Sequence, residues 1–322
     1  MNEMFFDVPG NPRPDNLRGG HLETRDGHRL RYALSTPDER KPSGTVVILT
    51  GRNEALEKYF ETMRDLGDRN LASAIFDWRG QGGSGRMLRD PLRGHVRSFD
   101  DYAGDLDQFF TDVVLPDCRG PYFLLAHSTG ALVALLASSS LANRVRRMVL
   151  VAPFLGTAAL PFSVRTIKRV MNACYWMGAR GSYAFGSKRV GEIAPFATNR
   201  LTTDVERFRR NKLIYETAPH LALRGPTVSW VRAACIGIEK VHEPAFIESF
   251  HVPTLFVAAG ADEIVSNRAT EELAAKLKTA SLITIPGARH ELLQEADLYR
   301  EQLLAAFDAF VPGAIVEPEW AE

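Results

Sequence analysis

Residues 123–135 read Phe-Leu-Leu-Ala-His-Ser-Thr-Gly-Ala-Leu-Val-Ala-Leu, an apolar run that leads through a turn of small residues into an Ala- and Leu-rich stretch. The pattern indicates a buried strand, a tight turn at Ser128 and a helix. A serine on such a turn projects its hydroxyl above the sheet, and bulk two residues before or after it clashes with the neighbouring strand and helix. Ala126 and Gly130 are small enough for these two places. The stretch therefore predicts a nucleophile elbow with Ser128 as the nucleophile.

Two backbone N–H groups are candidates for stabilising an oxyanion beside that serine. The helix after the turn directs its N-terminus at the reacting centre, which makes the N–H of Thr129 the first donor. The second donor at such an elbow comes from a loop after an earlier strand, here the apolar run 44–50. The backbone N–H of Arg52 lies in that loop and is the second candidate. The Arg52 side chain has a structural alternative, which is to pair with Glu54 or Glu57.

A nucleophilic hydroxyl needs a base, and the base needs an orienting acid. His290 directly follows the apolar run 280–285, so it is expected at the same sheet edge as the elbow. The other histidines after the serine lie in an insertion or before a strand. Asp262 follows the preceding strand through a glycine-containing turn, and Glu263 is its competitor, although the shorter carboxylate suits a tight loop. We therefore predict Ser128, His290 and Asp262 as nucleophile, base and acid.

The fold class follows from the spacing of apolar segments. Continuous apolar runs are typical of strands that are covered on both faces. Helical patterns lie between them, and one begins after Ser98, so the sheet is expected to be mostly parallel. An Asp-Gly turn between two further strands predicts an antiparallel hairpin at the start. The prediction is an α/β protein with a doubly wound sheet, whose strands occupy residues 20–25, 29–34, 44–50, 71–77, 121–126, 147–152, 253–259 and 280–285.

The strand rhythm breaks in the middle of the chain. Residues 157–244 contain helical patterns but no clear buried strand, which predicts a helical cap inserted into a catalytic core of residues 1–156 and 245–322. Residues 312–322 are expected to form a surface extension. Within the cap, 163–180 has the pattern of a basic amphipathic helix.

Composition excludes several classes of protein. Lysine plus arginine and aspartate plus glutamate number 39 each, so the chain lacks the basic excess of a nucleic-acid-binding protein. Its three cysteines have neither a disulfide framework nor metal-ligand spacing. The glycine-rich stretch 77–85 lacks the ending of a phosphate loop. Together these features predict neither a cofactor nor a metal. Because no secretory signal or membrane-spanning run is visible, we expect a cytoplasmic protein, with peripheral contact at the inner membrane face left open.

Further motifs are spread along the chain. They read Gly-Arg-Asn-Glu at 51–54, Asp-Trp-Arg-Gly-Gln-Gly at 77–82, Gly-Pro-Thr-Val-Ser-Trp at 225–230 and Gly-Ala-Arg-His-Glu at 287–291, with shorter segments at 5–12, 24–27, 57–60, 94–96 and 199–202. In these motifs the sequence resembles the lysophospholipase L2-like and monoacylglycerol-lipase-like branch of the α/β hydrolases. The resemblance implies an acyl-ester hydrolase with a helical cap and no cofactor. It supports Ser128, Asp262 and His290 in the family's triad positions, and Ala126 departs from the more usual glycine.

The cap suggests how an acyl chain is bound. We expect the amphipathic helix to line an acyl-chain pocket through Trp176 and Met177 and to meet anionic lipid surfaces through its basic residues. Trp230, within the motif at 225–230, is a further candidate for substrate binding. The alternative is a cap helix that only packs on its own domain.

These features predict a carboxylic ester hydrolase that releases fatty acid from a lysophospholipid or a monoacylglycerol. A small-ester esterase or a serine aminopeptidase of the same fold is the first alternative. A peptidase cap needs a carboxylate for the substrate's amino terminus, and Glu192, Glu239 and Glu243 are available. The second alternative is a non-catalytic binding module on this fold, which the ordered serine, aspartate and histidine argue against.

Overall fold

The apolar runs of the sequence form one sheet. The computed structural model describes residues 4–37, 41–159, 161–186 and 195–312. Within these ranges the sheet has eight strands, in the order β1-β2-β4-β3-β5-β6-β7-β8. They are β1 (Arg18–Glu23), β2 (Arg29–Ser35), β3 (Thr45–Leu49), β4 (Ala72–Phe76), β5 (Tyr122–His127), β6 (Val145–Val151), β7 (Thr254–Ala259) and β8 (Ala280–Ile285). Each coincides with a predicted strand to within two residues at either end. Glu192 lies outside the described residues, as does all of the predicted extension 312–322 except Pro312.

The pairing directions confirm the predicted sheet. β1 and β2 form an antiparallel hairpin, and β2 also pairs antiparallel with β4. The remaining neighbours are parallel. In the hairpin turn, Gly27 has a φ of 83°, and the N–H of Thr24 donates to the carbonyl of His28 at 2.7 Å. A positive φ is the reason for glycine in this turn.

Helices cover both faces of the sheet. They are α1 (Phe60–Asp68), α2 (Phe99–Phe109), α3 (Leu115–Asp117), α4 (Thr129–Leu136), α5 (Ser138–Leu141), α6 (Val164–Trp176), α7 (Val205–Thr217), α8 (Val228–Val241), α9 (Pro244–Ser249), α10 (Asn267–Ala274) and α11 (Asp297–Phe310). Helices α2, α4 and α8 share one apolar core with the sheet. Helices α1 and α11 share another. Both faces of the central strands are therefore buried, which explains their continuous apolar sequences.

The helix predicted after Ser98 begins there for a local reason. The Ser98 side chain accepts a hydrogen bond from the N–H of Asp100, and Asp101 accepts one from the N–H of Ser98 in return. This capping box satisfies donors that the first turn of a helix leaves without partners.

The predicted cap region contains helices and no named strand among its described residues. Its amphipathic helix is α6, which packs against α8. Helix α8 in turn packs on α4 and α2 beside the sheet, so it joins the insertion to the core. The domain boundaries at 156 and 244 remain predictions. No helix among the described residues has the length and apolar character needed to cross a membrane.

Candidate active site

Ser128 lies on a strained turn between β5 and α4. Its φ of 51° and ψ of −111° are unusual for a residue with a side chain. Its backbone N–H donates to the carbonyl oxygen of Val151, 3.0 Å away, which holds the turn against the neighbouring strand β6. A Cβ atom at Gly130 would lie only 2.5 Å from the carbonyl oxygen of Leu49 on β3. Glycine at this position therefore allows α4 to approach the sheet closely, as the elbow motif predicts.

The predicted base lies within reach of that serine. His290 follows β8, and its Nε2 atom is 3.1 Å from Ser128 Oγ. Its Nδ1 atom is 2.8 Å from Asp262 Oδ2, in the loop after β7. Parallel strands bring their carboxyl ends to one edge, which is why three residues from distant parts of the chain meet there. The structure thus brings together the three residues that the sequence nominates.

Asp262 is held as an acceptor. Its side chain is fully shielded from solvent, and its Oδ1 atom accepts hydrogen bonds from the N–H groups of Ile264 and Val265 at 2.8 and 3.0 Å. Burial raises the pKa of this carboxyl, but the hydrogen bond and charge of His290 and the two N–H donors outweigh burial and lower it overall. The group is therefore an anion at neutral pH, able to orient an imidazole that gains a proton.

The competing carboxylate, that of Glu263, is bound to a different residue. Glu263 is exposed, and its Oε2 atom is 3.2 Å from Nε of Arg200. Asp262 is hydrogen-bonded to His290 whereas Glu263 pairs with Arg200, so Asp262 remains the predicted acid.

Two backbone donors beside the elbow have no acceptor within the part of the chain that the structure describes. Among the hydrogen bonds of the described residues, none uses the N–H of Arg52 or of Thr129. Both belong to the segments that the sequence nominates for the oxyanion. An unpaired N–H in a partly buried place is costly, so these two groups are available for a substrate oxygen.

The expected pairing of the Arg52 side chain is wrong. Glu54 is bound to Lys58 and His127, and Glu57 is bound to Arg31, so neither carboxylate is available. The Arg52 guanidinium instead donates a hydrogen bond to the carbonyl oxygen of Arg224.

A buried polar cluster behind the elbow was not predicted. The Oε2 atom of Glu54 accepts hydrogen bonds from the N–H of Gly51 at 2.5 Å and from Tyr59 Oη at 2.6 Å. The same atom lies 3.1 Å from Nδ1 of His127, the residue before the predicted nucleophile. The Oε1 atom accepts from Lys58 Nζ at 2.6 Å. Glu54 thereby joins the loop of the candidate oxyanion donor to the elbow.

His127 continues this cluster toward the predicted base. Its Nε2 atom lies 3.1 Å from the carbonyl oxygen of His290. Both ring nitrogens therefore face acceptor oxygens, and only the imidazolium form donates to both. Burial lowers the pKa of His127, but the charge and hydrogen bond of Glu54 outweigh it and raise the pKa overall. On the other side of Lys58, Glu291 accepts at 2.6 Å and balances the charge.

The cap residues nominated for the acyl pocket are not in one. Trp176 and Met177 are 72% and 77% exposed. The buried side of α6 carries Ile167 and Met171. Trp176 lies five residues beyond Met171, about 140° further around the helix, so it faces solvent instead of α8. The prediction that these two side chains line an acyl-chain pocket is therefore wrong, because both are exposed to solvent.

Trp230 is buried instead of open to a cleft. Its ring stacks on Phe154 at 6.1 Å between centroids and contacts Phe99 edge-on at 5.4 Å. The N–H of Phe154 donates to the carbonyl oxygen of Ser128 at 3.1 Å. Trp230 is thus part of the wall next to the elbow, and its nomination for substrate binding remains a prediction.

The glycine-rich stretch 77–85 folds around an internal ion pair. Asp77 accepts from the N–H of Gly83 at 2.7 Å and pairs with Arg31 at 2.6 Å. A Cβ atom at Gly82 would lie within 2.4 Å of the Asp77 carboxylate oxygens. No cluster of potential metal ligands is found in the described part of the chain.

Comparison with known proteins assigns the family of this chain. A profile of the family described as serine aminopeptidase, S33, matches residues 40–297, which is most of the chain. The chain belongs to this family. Membership assigns it to the serine hydrolases of the α/β-hydrolase fold, and not to the non-catalytic binding modules that the sequence left open.

Individual relatives support the same assignment. The chain is 35% identical to lysophospholipase L2 of Escherichia coli K12 over 277 residues, which is 82% of this chain and 79% of the relative. It is 27% identical to human monoglyceride lipase, covering 85% and 84% of the two chains.

Solved structures confirm the fold. A soluble variant of monoglyceride lipase from Saccharomyces cerevisiae superposes with a TM-score of 0.72 at 16% identity, over 97% of this chain and 99% of that one. A carboxyl esterase from Bacillus coagulans gives a TM-score of 0.74 at 15% identity, over 93% and 99%.

Proposed function

We propose that this enzyme hydrolyses the ester bond of single-chain acyl lipids and releases fatty acid from a lysophospholipid or a monoacylglycerol. The observation that carries the proposal is the hydrogen-bonded chain from Ser128 Oγ through His290 to Asp262, at 3.1 and 2.8 Å. The substrate class is supported by the relatives named lysophospholipase L2 and monoglyceride lipase.

The first half-reaction forms an acyl-enzyme. Ser128 Oγ attacks the ester carbonyl carbon while His290 Nε2 takes the hydroxyl proton. The carbonyl oxygen becomes an oxyanion, which the N–H groups of Arg52 and Thr129 stabilise. Asp262 stabilises the imidazolium that forms. When the tetrahedral intermediate collapses, the C–O bond to the alcohol breaks and His290 gives its proton to the leaving oxygen.

The second half-reaction reverses these roles with water. His290 takes a proton from a water molecule, whose oxygen attacks the acyl carbon of the Ser128 ester. The same two N–H groups stabilise the second oxyanion. Collapse releases the fatty acid and returns the proton to Ser128 Oγ.

The peptidase alternative finds less support in the cap. Glu239, one nominated anchor for an amino terminus, is paired with Lys168 on α6. Glu243 is exposed where α9 begins. Glu192 lies outside the described residues. A carboxylate that is already neutralised offers little to an incoming ammonium group, so an ester is the favoured substrate.

Helix α6 and its flanks supply a surface for contact with lipid. Eight large hydrophobic side chains are exposed in the described residues, and five of them belong to residues 161–186: Phe162, Val170, Trp176, Met177 and Phe185. Arg165 and Arg169 are exposed beside them, whereas Lys168 is paired with Glu239. Exposed apolar side chains flanked by arginines fit the interface of an anionic membrane. The inference is that the enzyme meets its lipid substrate through this surface.

The test compares four substrates at equal concentration. These are a lysophospholipid, a monoacylglycerol with the same acyl chain, a short p-nitrophenyl ester and an aminoacyl p-nitroanilide. We expect the two lipids to be turned over with the highest kcat/KM. Turnover of the short ester alone would contradict the lipid substrate class, and preference for the anilide would favour the aminopeptidase.

A further inference from the structure

Arg52 contributes a side chain as well as a backbone N–H to the site. Its guanidinium carbon lies 5.5 Å from the centre of the Trp230 ring. One nitrogen donates to the carbonyl oxygen of Arg224, and a Cβ atom at Gly94 would lie 3.0 Å from that same nitrogen. The guanidinium is therefore fixed where the loop after β3 meets residues 224–227.

This cation has no counter-ion in the described part of the chain. Its Nε atom is shielded from solvent and has no hydrogen-bond partner there. By contrast, the buried arginines among the described residues each form an ion pair, namely Arg31, Arg79, Arg210 and Arg300. Burial lowers the pKa of Arg52 to about 10, so the group remains charged at neutral pH. An unpaired, partly buried charge is costly unless a ligand supplies the missing anion.

The surroundings of the guanidinium connect it to the nucleophile. Trp230, on which it stacks, stacks in turn on Phe154, and Phe154 is hydrogen-bonded to the carbonyl oxygen of Ser128. The backbone of Arg52 is also a candidate oxyanion donor. Two ring contacts and one hydrogen bond thus connect the cation to the backbone of Ser128. In a lysophospholipid the phosphodiester is separated from the ester carbonyl only by the ester oxygen and the glycerol carbons.

We propose that the Arg52 guanidinium binds the anionic phosphodiester of a lysophospholipid and makes this class of lipid the preferred substrate over monoacylglycerol. The inference rests on the proposed ester hydrolysis and adds its head-group specificity. A guanidinium offers several N–H donors in a planar fork that matches phosphate oxygens. A neutral glycerol head group leaves the cation without a partner, so a monoacylglycerol gains less binding free energy than a lysophospholipid.

The test measures kcat/KM for a 1-acyl lysophosphatidylethanolamine and for a 1-monoacylglycerol with the same acyl chain, in the same non-ionic micelles. In Arg52→Met we expect the ratio of the two values to fall about tenfold or more, through the KM of the phospholipid. Arg52→Lys should keep part of the preference. Arg86→Met is the matched control, because Arg86 is also partly buried, has no ion pair within the described residues and donates to a carbonyl oxygen, that of His220. It should leave the ratio unchanged.

The outcomes separate the two proposals. If the wild type hydrolyses both lipids and Arg52→Met leaves their ratio unchanged, head-group recognition by Arg52 is wrong while ester hydrolysis stands. If the wild type hydrolyses neither lipid, the proposed function fails and this inference fails with it.

A second measurement needs no variant that must fold. Glycerophosphoethanolamine has the same phosphodiester without an acyl chain, and it should inhibit turnover of a short neutral ester by the wild type competitively. Inorganic phosphate is the comparison. Stronger inhibition by phosphate than by the phosphodiester would indicate a site for free phosphate, and inhibition by neither would overturn the proposal.

Discussion

His127 donates a hydrogen bond through Nε2 to the carbonyl oxygen of His290, at 3.1 Å. The residue that precedes the proposed nucleophile therefore holds the main chain of the proposed base. Through Nδ1 the same ring reaches Glu54, which also holds the N–H of Gly51 in the loop after β3, beside the proposed oxyanion donor Arg52. One buried cluster thus links the three segments on which the proposed chemistry depends.

This cluster predicts a pH dependence of stability. The pKa of His127 is raised above its ordinary value of 6.5 in the folded protein, so the folded state holds this proton more tightly than the unfolded chain. The stabilisation is fully present below about pH 6.5 and is lost as the pH rises through the folded-state pKa. His127→Gln should lower the free energy of unfolding by about 2 kcal/mol at pH 6 and by less at pH 9. Urea denaturation across this range measures it, with the exposed His251→Gln as the control; a deficit that grows with pH would contradict the assignment.

Glu54 should affect turnover as well as stability. Glu54→Gln removes the charge that holds Gly51, Tyr59 and His127 together, so the oxyanion donor of Arg52 loses its fixed position. We expect kcat to fall about ten- to a hundredfold, with a smaller change in KM. Glu57→Gln is the matched control, because Glu57 is also buried but pairs with Arg31. Both variants should lower the melting temperature. An equal loss of kcat in both would show that Glu54 affects turnover only through its effect on stability.

Asp262 and Glu263 offer a direct comparison of neighbours. Asp262→Asn keeps the volume but removes the charge that orients His290, so kcat should fall about 10³- to 10⁴-fold. Glu263→Gln changes an exposed carboxylate paired with Arg200 and should leave kcat within twofold. Steady-state kinetics with a short ester measures both. Retained activity in Asp262→Asn would exclude this residue as the orienting acid.

The close approach at Gly130 predicts opposite effects for two glycine substitutions. Gly130→Ala places a methyl group 2.5 Å from the Leu49 carbonyl oxygen and should destabilise the protein by about 1 to 3 kcal/mol. Gly104 lies inside α2, and the place that a Cβ atom would take there is open space. Gly104→Ala should therefore stabilise by about 0.5 to 1 kcal/mol. Chemical denaturation gives both values, and equal signs would refute the packing argument.

The exposed side chains of the cap predict lipid binding. The double variant Trp176→Ser and Met177→Ser should bind vesicles of phosphatidylglycerol several-fold more weakly than the wild type, as measured by flotation. Leu298→Ser is the control, because Leu298 is 70% exposed on α11, outside the cap. Equal binding by all three proteins would show that these cap residues do not contact the membrane.

The sheet and the three central side chains were predictable from sequence for a simple reason. Buried parallel strands have continuous apolar sequences, and their carboxyl ends share one edge. Ser128, Asp262 and His290 each follow such a run, so their meeting follows from the strand assignments alone.

The polar cluster was not predictable in the same way. Glu54 and His127 are 73 residues apart, and His127 and His290 are 163 apart. Each is a common residue in an ordinary loop or strand end, and only packing shows that they are buried together. The spacing of Glu54 and Lys58 by four residues was the one local signal. The prediction for Trp176 was wrong for another reason. Helical periodicity defines the apolar stripe of a helix, but it does not define the residue at which α6 stops contacting α8.

The most direct measurement of the central claim is the release of fatty acid from a lysophospholipid by the wild type and by Ser128→Ala, together with peptide mapping after reaction with a fluorophosphonate. We predict release by the wild type, loss of at least about 10³-fold in the variant, and labelling of the wild type at Ser128 alone. An unchanged rate in Ser128→Ala, or labelling at another residue, would contradict the account.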